Sequence, residues 1–554
     1  MPTPSRADAA RLVAGLTRWL RDVRPVYLLL PLSLIQIGIG IAFALSVQHN
    51  GWLWYSGGDA TEYWAEQWSV GHGLLPHTFL SFVLPVAFAW VPLLWGPTLL
   101  TGIPAIVVVQ VMIGIPLTVI GVWAVADRVA GRLFAWWTTI LWIVGPLLFV
   151  WGLRSDYRGQ FEQYFLVPHW FGFTDMADFW SVALALWSAW AVFRALDSRR
   201  LEHAALAGLF IGALIGLKPA NSLFLPAALL GLVILQRWRQ LLVAAVAAAP
   251  AIATLVLWKQ KGIGQLPVLA LGGPAVREAS GPNLVAVSFS NHYLHFDWGH
   301  VATKLSQIGE VFWSVRLLEF LAIAGAFALV RRSPLKGACV VLWFAAFCIL
   351  KGNSPLADVP ETSYWRLTQP GLAAFVLLAA AVPLLIPGLG RRLSAVVPAN
   401  PGRLRATPGL IVAVALLAVL PLVVVAIATP MSSPKVARNS DNTEAPVSTA
   451  LGFTARPVSG AVQLSWRSIP TGSVQARFAV YRSNLNDGCE VQSIGARECF
   501  FDMPTVTTTP SLSATDHPGP GRWWYRVSLI ASQDRTAENG DLMLLSPAVE
   551  VTTK

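Results

Sequence analysis

The chain has 554 residues, of which 55% are hydrophobic and only 12% charged, with a formal net charge of +11. That composition excludes an ordinary soluble multi-domain protein and points to a polytopic membrane protein. The positive excess does not mark a nucleic-acid-binding face: from Pro430 onward basic and acidic residues balance, so all of it lies in the apolar part, where it reads as membrane topology.

In chain order, Arg6, Arg11, Arg18, Arg21 and Arg24 precede an apolar stretch at 26–47. It is too long for a signal-peptide core and lacks a convincing cleavage site, which predicts a retained first helix. Residues 48–102 then contain no Lys or Arg, although they include a second apolar run at 79–95. If that run crossed the membrane, the basic turns would fall on both sides. Laid along the surface, as a juxtamembrane or re-entrant element, it leaves them all on one.

With a bilayer core requiring about 20 apolar residues per helix, spans are expected near 26–46, 103–125, 133–151, 178–195, 203–218, 221–236, 241–257, 315–330, 337–351, 369–388 and 409–429. This predicts about eleven membrane helices in a cytoplasmic membrane, with the N-terminus inside. The segments at 48–102, 152–177, 259–314 and 352–368 then lie outside, and all are longer than simple turns, as functional loops tend to be.

Beyond 1–429, a Pro-, Ser- and Asn-rich stretch at 430–446 reads as a linker, and 447–554 changes character. Period-two alternation at 462–466, 477–481 and 525–529 predicts half-buried strands of a small all-β sandwich. Trp466, the Phe478-to-Arg482 strand, Trp524-Tyr525-Arg526-Val527 and Ser546-to-Val551 resemble a fibronectin type III domain. With an odd number of spans this domain lies outside, where Cys489 and Cys499 are expected to form a disulfide. Cys339 and Cys348 fall in an apolar segment.

The most unusual chemistry is in Tyr55-Ser-Gly-Gly-Asp-Ala-Thr-Glu-Tyr-Trp-Ala-Glu-Gln-Trp68. Asp59 and Glu62 have the spacing of a capping box ahead of a helix, and interfacial aromatics are common in membrane proteins. Neither reading explains a carboxylate among Trp52, Trp54, Tyr55, Tyr63, Trp64 and Trp68 without a nearby Lys or Arg in sequence. Partial desolvation disfavours the charged form and makes such a group a better base.

A first membrane helix, the Gly58-Asp59-x-x-x-Tyr63 loop, His72-Gly-Leu-Leu-Pro76, an apolar Leu-Pro-Val segment and a helix ending in a basic turn resemble the GT-C superfamily of integral-membrane glycosyltransferases. Gly216-Leu-Lys-Pro-Ala-Asn221 and Thr174-Asp-Met-Ala-Asp178 are similar to further segments of it. The resemblance implies a polyprenyl-phosphate sugar donor and a catalytic base at Asp59, with inversion at the anomeric carbon. It implies a second, acceptor-orienting acid at Asp175, with Asp178 and Asp156 as rivals; helix capping accounts equally well for Asp175 and Asp178. Some members bind a divalent cation such as Mg or Mn, but no tight ligand spacing occurs here and no metal residue is assigned.

A departing phosphate needs cations or aligned donors. The candidates are Lys218, Arg154, Arg158 and Arg366, with Arg277, His292 and His295 as further outer-loop groups. Lys218 ends an apolar helix, where an unpaired ammonium is costly, unless it snorkels to the headgroups. Glu62, Tyr63, His72, His292 and His295 are expected along the substrate loop, and a metal held by His292, His295 and Asp297 is a weaker reading. The expected activity is inverting transfer of a sugar to a cell-envelope glycan, glycolipid or protein at the outer face of the membrane. The alternative is a transporter or flippase of a lipid-linked saccharide, against which stands the absence of paired internal repeats in the sequence.

Overall fold

The computed structural model describes all residues except 1–5, 56–57, 77, 79, 163–166, 264–295, 355–356, 358, 361–362, 395–406, 432–433, 442, 491–498 and 536–538. Helices occupy all eleven expected positions. Seven of the described helices are long and apolar enough to cross a membrane: Val26–Ser46, Leu99–Ala130, Arg132–Gly152, Ala177–Asp197, Trp238–Ile263, Pro334–Lys351 and Ser363–Leu385. At about 1.5 Å rise per residue, a helix of some 20 residues matches the roughly 30 Å hydrocarbon core. Leu201–Leu217, Pro219–Ile234 and Ile411–Ile427 are shorter, and Val315–Arg332 has Arg316, Glu319, Arg331 and Arg332 toward its ends. This is a multi-pass membrane protein with a C-terminal all-β domain.

The basic turns gather at one end of the bundle. Arg132 and Trp136 donate to the carbonyls of Arg21 and Leu20, and Arg21 donates to that of Arg392. Arg128 and Lys336 pair with Asp197, Arg237 donates to the carbonyls of Ala195 and Ser198, and Arg332 donates to that of Ser394. These cations therefore also satisfy carbonyls left without partners at helix C-termini.

The apolar run at 79–95 does not cross the bundle. It forms two six-residue helices, Val83–Phe88 and Trp90–Trp95, and both of its ends are fastened at the end opposite the basic turns. Ser81 Oγ donates to the Gly216 carbonyl at 2.5 Å, while Trp64 Nε1 donates to that of Pro97 at 2.9 Å. The Gly58–Gly71 helix packs directly on this element. A Cβ on Gly71 would stand 2.5 Å from the Ala89 carbonyl oxygen, so the close approach requires glycine there.

In the C-terminal domain, strands Thr454–Val458, Ala461–Ser465 and Ser513–Asp516 form one antiparallel sheet with Ala461–Ser465 central. In the other sheet Gly521–Ala531 pairs with Ala476–Ser483 on one side and with Asp541–Leu545 and Val549–Thr553 on the other; Thr505–Thr509 completes it. Leu464, Trp466, Val480, Tyr525 and Val527 are buried, as the two-residue alternation requires of a half-covered sheet.

Residues 430–446, expected as a linker, instead contribute strands Val436–Arg438 and Glu444–Pro446 to a third sheet. They pair there with the hairpin of Cys489–Glu490 and Cys499–Phe501. Polar composition hid these strands, which are too short to show a period. The Cys489–Cys499 disulfide closes the hairpin, with Cα atoms 4.6 Å apart.

Candidate functional site

The site is built on the Gly58–Gly71 helix, whose Tyr63, Trp64 and Ala65 are buried. Asp59 lies within its first turn rather than preceding it, so no Asp59-to-Glu62 capping box forms. A carboxylate in that turn faces the positive end of the helix dipole.

The cation missing from the local sequence arrives from 307 positions away. Arg366, in the first turn of Ser363–Leu385, forms an ion pair with Asp59. Its Nη1 donates to the Tyr55 hydroxyl at 3.1 Å, and the guanidinium lies 5.7 Å from that ring's centroid. Arg366 Nε stands 3.4 Å from Asp178 Oδ2, and Lys218 Nζ donates to Asp178 Oδ1 at 2.8 Å. Lys218 follows the Leu201–Leu217 helix, where Pro219 opens a 3-10 segment and turns the chain. One guanidinium thus bridges Asp59 and Asp178.

Lys351 completes the cluster. It ends the π-helical turn Ala345–Lys351, an irregularity often found at functional sites. It is fully buried and interacts electrostatically with Lys218, Asp178 and Arg366. Its ammonium lies 5.4 Å from the Phe347 ring centroid and makes no hydrogen bond among the described residues. Two cations, Arg366 and Lys218, therefore face two carboxylates, with the buried Lys351 amine beside them as a further donor that an anion could engage.

Solvent reaches this cluster unevenly. The Asp59 side chain is 38% exposed, Lys218 18% and Arg366 13%, against 2% for Asp178. Burial raises the hydroxyl pKa of Tyr55 and Tyr63, keeping both neutral. His169, edge-on to Tyr55 with centroids 5.5 Å apart, is pushed down to about 3 by burial and by the nearby Arg366 charge. It is a neutral imidazole, with Nδ1 3.2 Å from Thr174 Oγ1.

Of the three acids considered for the second position, Asp178 joins Asp59 through Arg366. Asp175 is buried and faces elsewhere, accepting from Gln67 Nε2 at 2.8 and 3.1 Å, and burial pushes it up to about 7. Asp156 is exposed on the short Ser155–Gln160 helix, as are Arg154 and Arg158, and none contacts the cluster. Glu62 pairs instead with Arg438 of the C-terminal domain, and Tyr63 is buried within the fold. His72 is exposed, held by the Trp68 carbonyl at 2.7 Å. Arg277, His292 and His295 lie outside the described residues, while Asp297 caps the Trp298–Val311 helix through the Gly299 amide.

Sequence reasoning overlooked Lys351 as a site residue. The signal that singled out Lys218, a lone lysine closing an apolar helix, was present there too. Tyr55 was legible only as an aromatic neighbour, because its partner lies 311 positions away. Among the described residues no group of three or more His, Cys, Asp or Glu could hold a metal ion.

A fold of stacked apolar helices, a charged cluster at one end and an all-β domain beside it define a multi-pass membrane protein. No family model and no curated protein matches the chain. Among solved structures it is similar to the oligosaccharyltransferase of Archaeoglobus fulgidus in the apo form, with 15% identity, a TM-score of 0.39, and coverage of 73% of this chain and 56% of that one. It is similar also to the archaeal oligosaccharyltransferase AglB of that organism in complex with an inhibitory peptide and a dolichol-phosphate, with 14% identity, a TM-score of 0.37, and coverage of 77% and 57%. A third likeness is to the Archaeoglobus fulgidus oligosaccharyltransferase complex with Zn and sulfate, with 14% identity, a TM-score of 0.35, and coverage of 73% and 53%. The chain spans little more than half the length of these structures.

Proposed function

We propose that this protein is an inverting glycosyltransferase of the GT-C type, moving a sugar from a polyprenyl-phosphate donor to an envelope glycan, glycolipid or protein. The observation that carries the reading is the bridge of Arg366 between Asp59 and Asp178, with Lys218 and Lys351, which has no hydrogen-bond partner among the described residues, beside it. A lipid-borne phosphate is an anion that reaches a membrane-surface site from within the bilayer, and Arg366, Lys218 and the Lys351 amine would receive it. The gathering of basic turns at the opposite end supports an outward-facing site by the positive-inside rule.

The present pairing suggests how the base is released. In the present pairing the Asp59 carboxylate is engaged by Arg366; a phosphate that takes Arg366 leaves it free to accept a proton. The acceptor oxygen then attacks the anomeric carbon while its proton passes to Asp59. The bond from that carbon to the phosphate oxygen breaks, and the lipid phosphate leaves with the electron pair among Lys218, Arg366 and Lys351. Asp178 would hold Lys218 and Arg366 in place for this step.

The test is Asp59→Asn in protein reconstituted with a polyprenyl-phosphate sugar. Transfer should fall about 10²–10⁴-fold, the typical worth of a general base, with insertion and expression unchanged. Retained transfer would exclude Asp59 as the base. Vesicles that change the sidedness of the donor without making a glycosidic product would favour the flippase reading.

A further inference from the structure

The C-terminal domain grips the turn that presents Asp59. Arg438, on strand Val436–Arg438 and almost fully buried, has Nη2 2.9 Å from Glu62 Oε1 and pairs also with Glu444 on the adjacent strand. The Glu444 amide donates to Thr61 Oγ1 at 3.0 Å, and that hydroxyl donates to the Gly58 carbonyl at 2.9 Å. Contacts at residues 58, 61 and 62 therefore surround Asp59 on its own helix.

Just upstream, Asn50 donates to the carbonyls of Gln475 and Ser532 at 2.9 and 2.7 Å and accepts from the Gln475 amide at 2.8 Å. The grip is braced from behind. Arg438 sits opposite Phe500 in a parallel pairing, on the strand that the Cys489–Cys499 disulfide joins to its hairpin partner. Arg526, from the longest sandwich strand, reaches Cys489 Sγ at 3.1 Å and the Ser546 carbonyl at 2.9 Å.

We propose that the C-terminal domain is a positioning part of the site: Arg438, braced by the disulfide hairpin, fixes the rotation of the Gly58–Gly71 helix and hence the place of Asp59. Arg438 is a positioning residue, acting through Glu62 and Thr61. A guanidinium between two desolvated carboxylates holds one geometry, because any movement leaves a buried charge uncompensated. The catalytic importance of that placement rests on the proposed role of Asp59; the mechanical coupling does not.

The experiment is amide exchange on the full chain in lipid nanodiscs, comparing residues 58–66 in wild type, Arg438→Met, Arg438→Lys and the reversed pair Glu62→Arg with Arg438→Glu. Strand Gly521–Ala531 reports whether the sandwich remains folded. Arg438→Met should speed exchange at 58–66 about tenfold or more, as expected of a lost local restraint, with the lysine variant and the reversed pair returning toward wild type. Reduction of Cys489–Cys499 should move it in the same direction as Arg438→Met.

Equal exchange at 58–66 in wild type and Arg438→Met, with the sandwich intact, overturns the proposal. If Arg438→Met also opens the sandwich, the reversed pair decides: recovery supports the coupling and no recovery overturns it. Undecaprenyl phosphate binding on the same samples separates the two readings. A wild type that does not bind it removes the proposed donor site, while the exchange result still decides the coupling.

Discussion

Two arginines each hold two carboxylates at the Gly58–Gly71 helix, one helical turn apart, and they are built for opposite ends. Arg438 with Glu62 and Glu444 is sealed, each side chain 4% exposed or less, and the triad carries one surplus negative charge. Arg366 with Asp59 and Asp178 is partly open and has Lys218 and the Lys351 amine beside it, so its charges balance and donors remain for an anion. The sealed triad can only fix geometry, whereas the open one has both a route to solvent and a reason to take an anion.

This contrast can be broken most directly at the two acids of the open cluster. Asp59→Asn should remove about 10²–10⁴-fold of transfer while lowering the melting temperature less than Asp178→Asn, because its side chain is 38% exposed against 2%. Asp178→Asn should do the reverse in kind: leaving Lys218 and Arg366 without their buried partner should destabilise by about 3–5 kcal/mol, seen as a lowered melting temperature in detergent. Equal stability of the two variants would erase the distinction between the open and the buried carboxylate.

Lys351→Met sharpens the charge argument. Losing that donor should weaken undecaprenyl phosphate binding about tenfold or more, while stability holds or rises because a buried amine with no hydrogen-bond partner among the described residues has gone. Weaker stability with unchanged binding would mark Lys351 as a structural residue.

A smaller effect separates Asp175 from Asp178. Burial holds Asp175 at about 7 against an ordinary 3.8, so the native state keeps a proton that the unfolded chain releases. Its contribution to stability is fully present below about 3.8 and is lost as pH rises through about 7. Melting curves across that window should show the decline in wild type and a shallower one in Asp175→Asn. Least affected of all should be Arg522→Ala: it breaks an exposed pair with Glu550 on the sandwich surface, and no change in melting temperature is expected.

The contrast also explains what was readable in the residues. Asp59 and Lys218 stood out because a charge in apolar surroundings is costly wherever its partner sits, and the structure brings both to one cluster. Arg366 was named only as one of several cations, with nothing to favour it over Arg154 or Arg158, which lie exposed elsewhere. Choosing Asp175 over Asp178 was a matter of three residues, less than one helical turn, and only the packing of Gln67 against one and Lys218 against the other separates them. The linker was misjudged for a similar reason: strands of three residues show no period, and their partners come from a hairpin some sixty positions later.

By itself the sequence determined the membrane-spanning class, the approximate helices, the sandwich and the disulfide, because these follow from apolar length, alternation and local cysteine spacing. Only the tertiary structure decided which acid shares Arg366 with Asp59 and that the C-terminal domain holds the helix presenting it. Those outcomes depend on charges hundreds of residues apart finding one another in a medium of low dielectric, where pairing is strongly enforced but no short-range pattern records the partner.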